Sequence, residues 1–132
     1  MRIKKTSQYI EGGAGLPSYF TTETDTGMKW IDGSTIYRKV VDYYPTSIIG
    51  AANTTTNISI PHNITNLGQV TNARCISETN NIIPAIASST GTTLTAGNCI
   101  TQVTSTNINF RIINDTWSSR HFYIILEYTK SS

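Results

Sequence analysis

The chain has few of the residues that build helices. Only four of its 132 residues are Leu and four are Glu, whereas 22 are Thr and 19 are Ile. Leu and Glu favour helices, and the β-branched Thr and Ile favour strands. The composition therefore argues against a helical bundle, a coiled coil or a doubly wound α/β fold, and it predicts an all-β domain. The length corresponds to one domain, alone or with an arm.

Charged residues are also scarce. Ten Lys and Arg against eight Asp and Glu give a net charge of +2, and only 14% of the residues are charged. A nucleic-acid-binding protein needs a basic face that neutralises several phosphates, and the one basic cluster here is Arg2, Lys4 and Lys5. No signal-peptide core follows it, and no apolar run approaches the ~20 residues of a membrane helix. We expect no nucleic-acid partner, no cleaved export signal and no membrane insertion.

Cysteine and histidine are too few for a metal centre, with two of each in the chain. CxxC pairs, Cys/His clusters at zinc spacing and the HExxH pattern are all absent from the sequence. We therefore expect neither a metal nor a cofactor. Cys75 and Cys99 either form a disulfide, which would close a long loop, or stay reduced as small apolar side chains of neighbouring strands. We favour the reduced pair.

Residues 1–27 have no hydrophobic period and contain four of the nine glycines before Met28. This pattern is typical of an extended arm whose isolated apolar side chains dock on another protein, with a frayed terminus as the alternative. We expect an arm over 1–27 and a folded domain over 28–132. The candidate docking residues of the arm are Ile3, Tyr9, Ile10, Leu16, Tyr19 and Phe20.

From Met28 onwards the sequence is typical of short strands. Asp32 and Gly33 separate two β-prone runs, which predicts a hairpin with a type I′ turn. Val40 and Val41 would point to opposite faces, so the pattern does not say which one is buried. Further strands are predicted over 56–60, 69–77, 82–87, 98–103, 107–114 and 120–130. The last has large residues on both faces, so we expect it at the centre of a sheet. Such spacing without helices indicates an antiparallel sandwich or barrel.

Groups suited to catalysis are few and scattered. His62 and His121 are the only candidate bases, and neither lies in a GxSxG or comparable motif. We expect both to be hydrogen-bonded residues at strand ends or in loops. Asp42 and Glu127 are the acids predicted in strands. A glycosidase-like site would require these two carboxylates to be neighbours by chance. The chain is therefore not expected to be an enzyme.

Trp117 is the main candidate for a binding residue. It lies in the loop NDTWSSRH between the last two predicted strands. A Trp exposed there, beside Arg120 and His121, would stack on a sugar or anchor a protein partner. In the alternative interpretation, the ring folds back over the end of the sandwich or packs on a neighbouring subunit. Trp30 and Tyr37, which flank the hairpin, are expected in the core or an interface.

Three motifs in order resemble a domain found at the tips of fibres and small spikes of tailed bacteriophages. They are the hairpin GMKWIDGSTIYRKVV, the element SIPHNITNLGQV and the closing strand FYIILEYTK. The resemblance covers residues 27–132. It implies a jelly-roll-like β-sandwich in a virion protein, assembled in the bacterial cytoplasm and often trimeric, which binds a host surface glycan or protein or decorates the particle.

This sequence departs from the phage pattern in two places. Residues 115–117 enlarge the last loop, and only the short arm precedes the domain in place of a long fibre shaft. These departures suggest a small protein held to a capsid or tail component by residues 1–27. Three hypotheses follow: a host-binding virion appendage, a structural decoration protein without a receptor, and an enzyme acting on surface polysaccharide. The lack of suitably placed acids makes the last the weakest.

Overall fold

The computed structural model describes residues 18–84 and 98–131, and all of its regular structure is β-strand. No helix in the described part of the chain is long and apolar enough to cross a membrane. The strands are β1 (Thr24–Lys29), β2 (Thr35–Tyr43), β3 (Thr55–Pro61), β4 (Leu67–Ser77), β5 (Ile82–Ile83), β6 (Cys99–Val103), β7 (Asn107–Ile113) and β8 (Phe122–Lys130). The all-β prediction is confirmed.

The strands form two antiparallel sheets. The five-stranded sheet has the order β1-β2-β8-β4-β5, and the three-stranded sheet has the order β3-β7-β6. β2 pairs with β8, and β3 pairs with β7. Both members of the second pair therefore lie between β2 and β8 in the sequence. This nested order is one that jelly rolls also have, in keeping with the predicted fold class.

One hydrophobic core lies between the two sheets. Ile108, Phe110 and Ile112 of β7 enter it from one side, and Ile124 and Leu126 of β8 enter it from the other. All five side chains are fully or almost fully buried. Because alternate residues of a strand point to opposite faces, these residues define the inner face of each sheet. The chain is therefore an antiparallel β-sandwich.

β8 lies at the centre of the five-stranded sheet, as its two apolar faces predicted. It pairs with β2 on one side and with β4 on the other. Val41 of β2 packs against the core, whereas Val40 points to the outer face of the sheet. Val40 and its partner Ile125 are nevertheless buried, so the outer face is covered at this position.

Most strand boundaries agree with the sequence to within two residues. Two strands differ more: β5 ends at Ile83, before Pro84, and β1 starts at Thr24. Residues 24–27, which the sequence assigned to the arm, therefore belong to the sheet. Thr26 is the one buried residue of β1, and its hydroxyl donates to the carbonyl oxygen of Ile36 at 2.6 Å. An edge strand that exposes most of its side chains has no apolar alternation, so the sequence did not reveal it. Of the strand predicted over 82–87, residues 85–87 lie outside the described part.

In the β1–β2 hairpin, Trp30 and Ser34 form the last hydrogen-bonded pair, and the three residues between them make the loop. The Trp30 N–H donates to the Ser34 carbonyl at 2.8 Å, and the Gly33 N–H donates to the Trp30 carbonyl at 2.9 Å. Gly33 has a φ of +88°, whereas Asp32 is not among the residues with positive φ. This is a type I turn followed by a left-handed glycine. The hairpin prediction is confirmed, but its type I′ turn is wrong because only one of the two residues is left-handed.

Gly50 is a glycine that the fold requires, and Gly33 is its natural control. Both have a φ of +88°, but an added Cβ meets nothing at Gly33, whereas at Gly50 it would overlap the carbonyl oxygen of Asp115. We expect Gly33→Ala to lower the free energy of unfolding by about 1–2 kcal/mol through backbone strain. Gly50→Ala should lose about 1–3 kcal/mol more through overpacking. Urea unfolding of both variants measures the difference, and equal losses would contradict the overlap.

Candidate binding surface

Trp117 is buried, so it is not the surface contact that the sequence suggested. Its ring stacks on Phe122 with 4.2 Å between centroids and meets the edge of Phe110 at 5.4 Å. Its backbone forms a bridge with Ile49, with N–H to carbonyl distances of 2.9 and 2.8 Å in the two directions. The alternative interpretation, in which the ring folds back over the end of the sandwich, is confirmed. The loop has no strand alternation, so the sequence did not decide between the two.

His121 remains at the surface, and Arg120 beside it is partly exposed. The imidazole Nδ1 lies 2.6 Å from Oδ1 of Asp42, and both side chains are more than a third exposed. The His121 N–H also donates to the Glu78 carboxylate, and the Glu78 N–H donates to the His121 carbonyl at 2.9 Å. The end of β2 therefore binds the imidazole, and the turn after β4 binds the backbone of His121.

Two tyrosines extend the surface around His121. The ring of Tyr44 lies 4.7 Å from the imidazole, and the ring of Tyr123 lies 5.7 Å from it with an interplanar angle of 1°. Tyr44 is 46% exposed and Tyr123 is 37% exposed. The three rings thus form a continuous row that solvent reaches.

Strand register carries this surface across the five-stranded sheet. Tyr123 of β8 lies opposite Asp42 of β2 and opposite Ile76 of β4, and Ile76 lies opposite Ile82 of β5. Ile82 is 74% exposed. Four adjacent strands at about 4.8 Å spacing make a row about 14 Å long. We call the whole surface the outer-face patch. It consists of Asp42, Tyr44, Ile76, Ile82, His121 and Tyr123.

The acids of this face do not form a glycosidase-like pair. Glu127 lies opposite Arg38, four positions along β8 from Tyr123, which faces Asp42. At about 3.3 Å per residue the two acids are about 13 Å apart, whereas glycosidase acids are about 5–10 Å apart. Glu127 Oε2 also accepts hydrogen bonds from Nε and Nη2 of Arg38. Among the described residues, no three His, Cys, Asp or Glu side chains are grouped so as to hold a metal ion.

Two of the six candidate arm residues, Tyr19 and Phe20, lie on the chain's own sheet. The Tyr19 ring lies 4.5 Å from the Arg38 guanidinium, and its hydroxyl accepts a hydrogen bond from Arg74 at 3.1 Å. The Phe20 carbonyl accepts from the Val40 N–H at 2.9 Å. Both rings still expose more than half of their surface. We call residues 18–23 the strap. Ile3, Tyr9, Ile10 and Leu16 lie outside the described residues.

His62 is a buried structural residue, as expected from its position after a strand. Its Nε2 lies 2.9 Å from the Thr104 carbonyl, and its Nδ1 accepts from the Ile64 N–H at 3.1 Å. Both ring nitrogens are thus occupied by the backbone, which leaves neither for proton transfer. A shallow cleft of about 190 Å³ opens beside it, lined by Asn63, Ser105 and Thr106 among others. We assign this cleft no role.

Cys75 and Cys99 are free and buried, as we favoured from the sequence. Burial raises the pKa of the Cys75 thiol to about 12 and also raises the pKa of Cys99. Because the thiolate is the reactive form, these are inert thiols. Burial likewise raises the pKa values of Tyr43 and Tyr128.

The raised pKa of Cys75 predicts a loss of stability in alkali. Its folded pKa lies above its unfolded value of 9.0, so its contribution is complete below about pH 8 and is lost as the pH rises towards 12. Within that window one such thiol changes the free energy of unfolding by up to about 1.4 kcal/mol per pH unit. Urea unfolding at several pH values should show a shallower alkaline loss for Cys75→Ala than for the parent. Parallel pH profiles would contradict the assignment.

The sequence missed most of the outer-face patch. The one local sign in the sequence was Tyr123, a large aromatic residue on the less apolar face of β8. Asp42, Tyr44 and Ile76 gave no signal, because strand pairing alone brings them to His121 and Tyr123.

Comparison of the chain with protein-family models, with curated proteins and with solved structures found no match. The interpretation of the patch therefore depends on its own geometry.

Proposed function

We propose that the chain is a bacteriophage virion protein, a small fibre- or spike-type appendage that attaches to the host surface through its sandwich. The observation that carries this proposal is the outer-face patch, where exposed rings stand on the centre of a five-stranded sheet. Aromatic side chains with apolar faces and polar tips are enriched in binding surfaces. Strand pairing and the contact with Asp42 keep the rings in place, so little conformational freedom is lost on binding.

The motifs that resemble phage tip domains lie in strands of both sheets. The first joins β1 to β2, the second runs from the end of β3 through the His62 loop to the start of β4, and the third is β8. β8 supplies core residues on its inner face and Tyr123 on its outer face. We infer that the resemblance reflects a common sandwich frame, on which this chain presents its own patch.

We further propose that the arm holds the protein to a capsid or tail component, in a homotrimer. The strap is bound to the sandwich: Tyr128 and Lys130 donate to the Glu23 carboxylate at 2.7 and 2.9 Å. The strap therefore fixes the start of the described chain on the surface of the sandwich. Ile3, Tyr9, Ile10 and Leu16 are the proposed anchors.

Removal of residues 1–17 tests the anchor while sparing the strap. We expect the truncated protein to fold and to bind the bacterial strain on which the phage grows, but to be absent from purified particles. Normal incorporation of the truncated protein would reject the anchoring role. Light scattering tests the trimer, which a mass of one 14.5 kDa chain would contradict.

Cell binding separates attachment from decoration. A fluorescently labelled full-length chain should bind those host cells and should not bind a resistant strain that fails to adsorb the phage. Normal incorporation into particles without any cell binding would reject attachment and favour a decoration protein that stabilises the capsid or tail.

A further inference from the structure

We propose that the outer-face patch binds a neutral pyranoside glycan, with a sugar ring stacked on Tyr123 and its hydroxyls held by Asp42 and His121. The inference rests on the proposed attachment function and names its ligand. It keeps His121 from the sequence hypothesis but replaces Trp117, which lies in the core, with Tyr123 as the stacking ring.

The stacking surface is the row of three rings. Tyr123 and His121 are parallel within 1°, and the Tyr44 ring also contacts the imidazole, at an angle of 45° to it. A pyranose presents an apolar face of C–H groups, which matches the face of an aromatic ring. Tyrosine hydroxyls at the ends of the row add hydrogen bonds to the sugar edge.

The polar groups of the patch select against acidic sugars. Asp42 directs one oxygen to His121 and keeps the other for a ligand hydroxyl. Glu78 holds a second carboxylate on the backbone N–H of His121. Arg120 is the neighbouring cation in the sequence, so this part of the chain has two carboxylates and one guanidinium. An anionic glycan would meet this negative charge, whereas a neutral hexose or N-acetylhexosamine would not.

The cross-strand row indicates a short oligosaccharide rather than a single sugar. Across the strands, Ile76 and Ile82 extend the surface from Tyr123. Adjacent positions in this cross-strand row are about 4.8 Å apart. This spacing is close to the length of one pyranose unit. The apolar end of the row suits the methyl group of an N-acetyl substituent or the C–H face of the next sugar.

The patch is shallow, so a single site should bind weakly. Dissociation constants on the order of 1 mM are expected for one copy, since few ligand atoms are buried. Several copies on one particle would raise the overall affinity without any new contact.

NMR titration of the full-length chain provides the direct test. The probes are neutral oligomers of β-linked glucose and of N-acetylglucosamine, with oligogalacturonate as the anionic comparison. We expect shifts at Tyr44, Ile76 and Tyr123 with a neutral oligomer and none with the anionic one. Preferential binding of oligogalacturonate, or no binding by any neutral oligomer, would overturn the inference.

Variants then locate the site. Tyr123→Ala and Asp42→Asn should each weaken binding by about tenfold or more, and both residues are exposed enough for the fold to survive. Ile31→Ala is the matched control, because Ile31 is 92% exposed in the hairpin loop and lies outside the patch. It should change affinity by less than about twofold. Unchanged binding by folded Tyr123→Ala and Asp42→Asn would place the glycan elsewhere and reject the proposal.

Treated host cells separate this inference from the proposed function. Periodate destroys sugar rings with neighbouring hydroxyls, and protease removes surface proteins. Loss of cell binding after periodate supports the glycan. Loss after protease alone identifies a protein receptor, which overturns the glycan but leaves host attachment standing. No binding to untreated cells rejects both.

Discussion

Replacing Trp117 with alanine should lower the free energy of unfolding by about 3–5 kcal/mol. The ring is almost fully buried and lies between Phe122 and Phe110. Its removal leaves a cavity where the two sheets meet the loop before β8. The aromatic stacking on Phe122 is lost as well, which adds to the cost of the lost burial.

Trp30→Ala is the control for this prediction. Trp30 is the other tryptophan of the chain, and it is partly exposed at the start of the hairpin loop. Its replacement should cost about 1 kcal/mol or less. Chemical unfolding followed by far-ultraviolet dichroism compares the two without depending on tryptophan fluorescence. A Trp117→Ala variant as stable as Trp30→Ala would show that the ring does not close the core.

Removing the carboxylate of Glu127 should cost a similar amount, about 3–5 kcal/mol. The Arg38 and Glu127 side chains are only 7% and 13% exposed, and they lie opposite one another on β2 and β8. Glu127→Ala leaves the Arg38 guanidinium buried beneath Tyr19 with no carboxylate to balance its charge. The strap is expected to loosen in this variant, because Arg38 also donates to the Ser18 carbonyl at 3.4 Å.

The double variant Arg38→Met/Glu127→Leu separates two causes of instability: an Arg38 charge left without its carboxylate, and the loss of side-chain packing. An apolar pair of similar volume removes both charges together, so its stability should be close to that of the parent. Thermal and urea unfolding of the parent, Arg38→Met, Glu127→Leu and the double variant complete the cycle. A Glu127→Ala variant that loses under about 1 kcal/mol would mean that solvent reaches Arg38 and screens its charge.

The sequence predicted those features that depend on local alternation. The strands of the sandwich other than β1, the central place of β8 and the hairpin at Gly33 all follow from β-prone runs and turn residues. Burial of Trp117 could not be predicted in this way, because it depends on a bridge to Ile49 and not on the local pattern.

The binding surface depended even more on pairing between distant strands. Asp42 meets His121 only because β2 and β8 pair in one particular register. A shift of that register by one residue would turn Tyr123 towards the core. Without the pairing, the only local sign of the surface is a large residue, Tyr123, on the polar side of one strand.

The central position of β8 has a consequence for synthesis of the protein on the ribosome. β8 is the last of the eight strands found in residues 18–84 and 98–131, yet β2 and β4 both pair with it. Until it emerges, β2 and β4 lack their common neighbour and expose unpaired edges, which invite association with other nascent chains. The five-stranded sheet therefore assembles late and through contacts between distant segments, a topology that folds slowly.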